Sequence, residues 1–167
     1  MPGLAPGGRI VLGLDLAQST GWALARDGEI YASGAVKLPW SKDNPGSTVA
    51  ESYRRIQALV GSFGPLDLVA VEDVQFASRR DAHASHWRVR TLWTLALAGV
   101  PMAGIQTATL KKWATGHGGA TKEAMCRVAS MRSGQVLVAR DQGGSKAQED
   151  QADAILVALW GHQSGVV

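Results

Sequence analysis

The chain has 167 residues, 46% of them hydrophobic and 19% charged, with a formal net charge of +3. Such a length fits one compact domain that buries roughly two-thirds of its unfolded surface, and the composition is that of an ordinary soluble protein. No apolar run reaches the roughly 18 residues of a membrane span, and the start MPGLAPGGR lacks the apolar core of a signal peptide. A single cysteine, Cys126, excludes an internal disulfide and a cysteine-built zinc site, so a cytoplasmic location is expected.

In chain order, residues 9 to 16 read as a strand. TGWALARDGEIYASGAV follows as a hairpin, with Asp27-Gly28 supplying the positive backbone angles of a tight turn. LPWSKDNPGS is a loop, and the next helix has Thr48 and Glu51 as a capping box and Val49, Tyr53, Ile56 and Val60 on one face. GSFGP closes it, and LDLVAVEDV is a short apolar run of the buried-strand type. From about 82 to 98 the spacing is helical again, with Val89, Leu92, Trp93 and Ala96 in one stripe, stopped by Gly99 and Pro101. MAGIQT is a fifth strand. TLKKWATG and TKEAMCRVASMR are two short helices around the flexible GHGG, and a final helix runs from about 146 to 161 with Ser145 and Gln148 placed to cap it. Three strands in a meander, then helices alternating with strands, predict a single α/β domain with a mixed sheet.

Charge is unevenly spread. From Arg79 to Arg132 nine Lys/Arg face only Asp81 and Glu123, so this segment carries +7 and the remainder −4. The segment is either an ordinary solvated helical surface or a phosphate-binding face of the kind that supplies non-specific nucleic-acid affinity.

The acids are more pointed. Asp15 ends the apolar run VLGLD, and Glu72 ends LVAVE with Asp73 behind it. Asp150 and Asp153 stand three residues apart and share one face of the last helix with Ala154 and Val157. A lone strand-end Asp commonly forms a turn or cap, and an acidic pair early in a helix complements its dipole. Together, however, four converging carboxylates repel one another and take up protons unless cations are present. Hard oxygen ligands of this kind suit Mg²⁺ or Mn²⁺, and a pair of such ions about 4 Å apart activates water and stabilises the leaving oxygen of a phosphodiester.

GLDLAQSTGWAL, VAVEDVQF, LKKWATGHGGATKEAM and DQADAILVAL, in that order over residues 10 to 161, resemble the four motifs of the RuvC Holliday-junction resolvases, within the ribonuclease H-like superfamily. The compact length and loops are similar to its phage-encoded branch. The resemblance implies a mixed five-stranded sheet flanked by helices and a homodimer that resolves four-way DNA junctions by paired nicks with Mg²⁺ or Mn²⁺. Carried over by position, it assigns the catalytic, metal-binding acids to Asp15, Glu72, Asp150 and Asp153. Lys122 falls beside the scissile phosphate, and Lys111 or Lys112 matches a second phosphate-facing lysine. Asp73 and Glu149 adjoin the matched positions and mark where the assignment would slip by one. Phe76, four residues after Glu72, corresponds either to an aromatic wedge at the junction centre, one position later than in the family pattern, or to a residue packing its own loop. Arg79 and Arg80 follow as phosphate contacts. The helix over 82 to 98 occupies the family's dimerisation region, so its apolar stripe serves that contact or covers the sheet.

Rival readings remain at this level. A broader flap or branched-DNA nuclease shares the motifs, and a non-catalytic DNA-binding module shares the fold. GLDLAQSTGWAL also resembles the first phosphate loop of actin-like ATPases and sugar kinases, which need roughly twice this length and a second phosphate loop. His83 and His86 have a metal-compatible spacing without further ligands, His117 lies in the glycine-rich loop, and Cys126 reads as a small packed side chain.

Overall fold

The computed structural model describes residues 8–73 and 80–165, and side chains of the helix that begins at Arg80 from residue 84 onward. Five strands, β1 (Ile10–Asp15), β2 (Ser19–Arg26), β3 (Glu29–Lys37), β4 (Leu68–Asp73) and β5 (Met102–Gln106), form one sheet in the order β3-β2-β1-β4-β5. β1, β2 and β3 pair antiparallel, whereas β4 and β5 join in parallel, giving the mixed sheet the meander-then-alternation pattern predicts. The β2–β3 turn is at Asp27 (φ 53°) and Gly28 (φ 81°), as a tight hairpin requires.

Strand side chains alternate between two cores. Ile10, Leu12, Leu14, Val69 and Val71 pack on one face with α1 (Pro45–Phe63) and α2 (Arg80–Ala96). Val11, Ala23, Ala25, Leu68 and Ala70 face the other way, toward α3 (Thr107–Thr115), α4 (Lys122–Ser133) and α5 (Lys146–Gln163). The last of these is the central element of its layer: eleven of its residues are buried, which explains a sequence apolar on more than one side.

Two helix starts test the capping arguments. Ser145 and Gln148 form the expected reciprocal box, the Gln148 N–H donating to Ser145 Oγ at 3.2 Å and the Ser145 N–H to Gln148 Oε1 at 3.0 Å. At α1 the expected Thr48–Glu51 box is not the cap. Asn44 caps instead, its Oδ1 accepting from the Ser47 N–H at 3.2 Å, with Pro45 in the first turn. Asn-Pro starts the helix four residues earlier, and Glu51 turns to Arg54 and Arg55.

The stripe on α2 is also settled by packing. Val89, Leu92 and Trp93 are buried in the core beneath the sheet, Trp93 completely, and Ala96 packs against the same cluster. These four side chains therefore cover the sheet. The outward face of α2 carries Trp87 and Leu95, 54% and 57% exposed.

Candidate active site

The acids meet because of strand parity. Asp15 follows Val11 and Gly13 on the α5 side of β1, and Glu72 follows Leu68 and Ala70 on the same side of β4. A carboxylate oxygen from each of Asp15, Glu72 and Asp153 lies within 4.8 Å of the others, the only such set of three or more metal-ligating side chains among the described residues. Asp150, fully buried on the same helix, adds its charge to Asp15 and Asp153.

Parity also separates these acids from their chain neighbours. Asp73 points to the opposite face, where Arg90 of α2 pairs with it. Glu149 turns away from the cluster to Arg140, accepting from its backbone N–H at 2.9 Å and its Nε at 3.0 Å. Neither belongs to the group of three.

Cations flank the cluster. Lys122, in the first turn of α4 behind the N-cap Thr121, pairs with Asp153. Burial pulls its ammonium toward neutrality, but the charge and hydrogen bond of Asp153 outweigh that and hold its pKa above the ordinary value. Lys146 pairs with Asp150, one helical turn away. Sequence reading missed Lys146, although its i, i+4 spacing to Asp150 was the available signal. Of the two lysines in α3, Lys111 is half-buried and its charge reaches Glu72, whereas Lys112 is exposed near the helix end. The hydroxyl of Thr107 hydrogen-bonds Glu72 and favours its ionised form.

Even so, the acids remain electrostatically strained. Burial first, then the charges of Asp153, Glu72 and Asp150, push the Asp15 carboxyl well above its usual range. Burial and Asp153 raise Glu72, and burial, with the Asp150 charge, raises Asp153 despite Lys122. Asp150 Oδ2 is buried with no hydrogen-bond partner. Oxygen-only donors, mutual repulsion and a buried unsatisfied carboxylate oxygen fit a divalent cation.

A pH dependence follows. Between about pH 4, where unfolded carboxyls ionise, and the raised folded values, the native state holds protons that the unfolded chain has released. Stability of the metal-free protein therefore falls as pH rises through that window. Thermal melts in EDTA should give a higher Tm at pH 5 than at pH 7.5, with a shallower fall in Asp15→Asn. A Tm that climbs over this range would contradict the strained cluster.

The remaining sequence candidates divide. Phe76 and Arg79 lie outside the described residues; Arg80 opens α2, its side chain also outside them, as is that of His83. The ring Nδ1 of His117 accepts from the Gly119 N–H at 3.1 Å and so shapes the glycine-rich loop itself. Cys126 is buried, which, with the charges of Asp153 and Glu149, pushes its thiol up to about 11 and makes it unreactive.

A mixed sheet of this strand order, with acids from the ends of its two central strands meeting acids of the last helix, defines a ribonuclease H-like nuclease domain. No protein-family model matches the chain. It is 30% identical over 158 residues, 89% of this chain and 86% of the relative, to the crossover junction endodeoxyribonuclease RuvC of Syntrophomonas wolfei subsp. wolfei. The chain belongs to the RuvC family. Its fold matches Thermus thermophilus RuvC in complex with a Holliday junction substrate, with TM-score 0.71, 22% identity and coverage of 90% of this chain and 91% of that one. It also matches the yeast mitochondrial Holliday junction resolvase, with TM-score 0.63, 15% identity and coverage of 96% and 80%.

Proposed function

We propose that the chain is a structure-selective endodeoxyribonuclease that resolves four-way DNA junctions by paired nicks. The observation that carries this reading is the convergence of Asp15, Glu72 and Asp153 in a chain related to RuvC over most of its length. Those three, joined by Asp150, are the ligands proposed for Mg²⁺ or Mn²⁺, two ions per site. Once bound, such ions lower the pKa of water and stabilise negative charge on phosphate oxygens.

The chain's own groups then have separable roles. Lys122 is held protonated by Asp153, so it acts as a fixed positive charge beside the phosphate and not as a base. Lys111 supports it from α3, with Lys112, Arg79, Arg80 and Phe76 as the outer DNA contacts. Lys146 and Thr107 keep Asp150 and Glu72 in place. In the overall reaction water adds to phosphorus and the P–O3′ bond breaks, leaving a 3′-hydroxyl and a 5′-phosphate.

Two symmetric cuts call for two copies of the site. The outward face of α2 suits that contact: Trp87, Arg90, Thr91, Thr94 and Leu95 line a cavity of about 660 Å³. The expected contact thus passes to Trp87 and Leu95 and away from the buried stripe of Val89, Leu92, Trp93 and Ala96.

Incubation with a mobile four-way junction, a Y-fork and plain duplex, each with Mg²⁺, Mn²⁺ or EDTA, tests the reading. Symmetric nicks confined to the junction and abolished by EDTA are expected. Equal cutting of all three substrates would make the chain a general branched-DNA nuclease.

A further inference from the structure

Beyond the acid cluster, a cationic pocket of about 310 Å³ lies between the β3–α1 loop and the first half of α2, lined by Trp40, Lys42, Ala84, Ser85 and Arg88. It stands at the active-site end of the sheet, because both walls are tied to the chain that leaves Asp15. His86 Nδ1 lies 3.1 Å from the carbonyl oxygen of Leu16, and the Leu38 N–H donates to the Gln18 carbonyl at 2.7 Å. Within the pocket the Arg88 guanidinium sits 3.5 Å from the centroid of the Trp40 ring and donates to Ser85 Oγ at 3.1 Å. Stacking on an indole leaves the outer N–H groups of a guanidinium free to bind a planar anion, and it fixes their direction at low entropic cost.

No carboxylate among the described residues lines the pocket. Among the described residues, neither Arg88 nor Lys42 is paired with a carboxylate, whereas Lys122 pairs with Asp153, Lys146 with Asp150 and Arg90 with Asp73. Partial burial pulls the Arg88 pKa down. We propose that Arg88, positioned by Trp40, and Lys42 form a phosphate clamp that grips the DNA backbone on the α1/α2 side of the acid cluster, away from Lys111 and Lys122. This rests on the junction-cleaving reading. It adds a second anchoring point, so that the strand spans the cluster between two sets of cations. Fixed phosphates on both sides set which bond lies over the acids.

The test is junction binding in EDTA, where no cutting occurs, measured across a salt series for wild type, Arg88→Gln, Lys42→Gln and the double variant. Each lost phosphate contact should make the slope of log K against log salt shallower by about 0.9, and the double variant should bind about tenfold more weakly near 0.1 M salt. Lys42 is exposed, so its variant folds whatever Arg88 contributes to packing. Wild-type affinity and slope in Lys42→Gln and in any folded Arg88→Gln would overturn the clamp while leaving the nuclease reading intact. Wild-type protein that fails to bind the junction at all would overturn both.

Discussion

Asp15→Asn should abolish junction cleavage while keeping junction binding, and should raise the melting temperature of the metal-free protein. The carboxylate it removes is the one most strained by burial and by its neighbours Asp153, Glu72 and Asp150. An amide keeps the shape and removes the charge, so it loses the cation and the catalysis that depends on it. The expected loss in rate is at least about 10²–10³-fold, the scale for deleting one preorganised electrostatic group. Relief of repulsion works the other way on folding: each 1 kcal/mol gained lifts Tm by roughly 2–4 °C in a chain of this size. Single-turnover cleavage at matched Mg²⁺, gel-shift binding and a thermal melt in EDTA check the three parts. Cleavage equal to wild type would remove Asp15 from the site, and an unchanged melt would show that the acids are not in conflict. The combination sought, an inactive but more stable protein, is the usual sign of a site that costs stability to keep.

Gly21→Ala should damage both fold and activity, although glycine-to-alanine changes are commonly mild. In the antiparallel register of β1 and β2, Gly21 stands opposite Asp15, and α5 crosses directly above it. A methyl group there would overlap the carbonyl group of Asp150 and approach the backbone nitrogen of Gln151 to 3.0 Å. These are backbone atoms of the helix that carries Asp150 and Asp153, so no side chain can swing aside. Gly13 makes the same close approach to Ala154 and Ala158 one and two turns further on. Overpacking of this kind costs about 3 kcal/mol, the upper part of its normal range, and so lowers Tm by roughly 6–12 °C. Displacing the two acids by about 1 Å should slow cleavage about 10²-fold in the fraction that stays folded. Gly61→Ala is the control: it lies inside α1 with open space around it, and should stabilise by about 0.4–1 kcal/mol. Equal melts for Gly21→Ala and wild type would mean that α5 does not ride on β1 and β2 at this distance.

Much of this was written in local patterns. The Asp27-Gly28 hairpin, the apolar strand runs and the Ser145–Gln148 cap depend on residues a few positions apart, and each forms as expected. Asn44 displaced Thr48 as a cap because two adjacent signals competed and Asn-Pro starts a helix more decisively. The stripe of Val89, Leu92 and Trp93 showed a buried face without showing what buries it. An apolar surface has the same composition whether it meets the sheet or a second chain, and only the packing of α2 assigns it to the sheet.

The acids divide in the same way. Their identity and order along the chain are properties of sequence: two carboxylates that end apolar strands and two that share a helical face. Which carboxylates converge was decided by the sheet. Its pleat sends Glu72 toward α5 and Asp73 toward Arg90, and the pairing of Arg140 with Glu149 draws that residue from the cluster. Lys146 beside Asp150, and Arg88 stacked on Trp40, likewise needed the folded chain. Periodicity tells which way a side chain faces relative to its own element. Convergence of side chains from β1, β4 and α5 depends on how those elements are stacked, and that is fixed by the close contact the glycines of β1 and β2 allow.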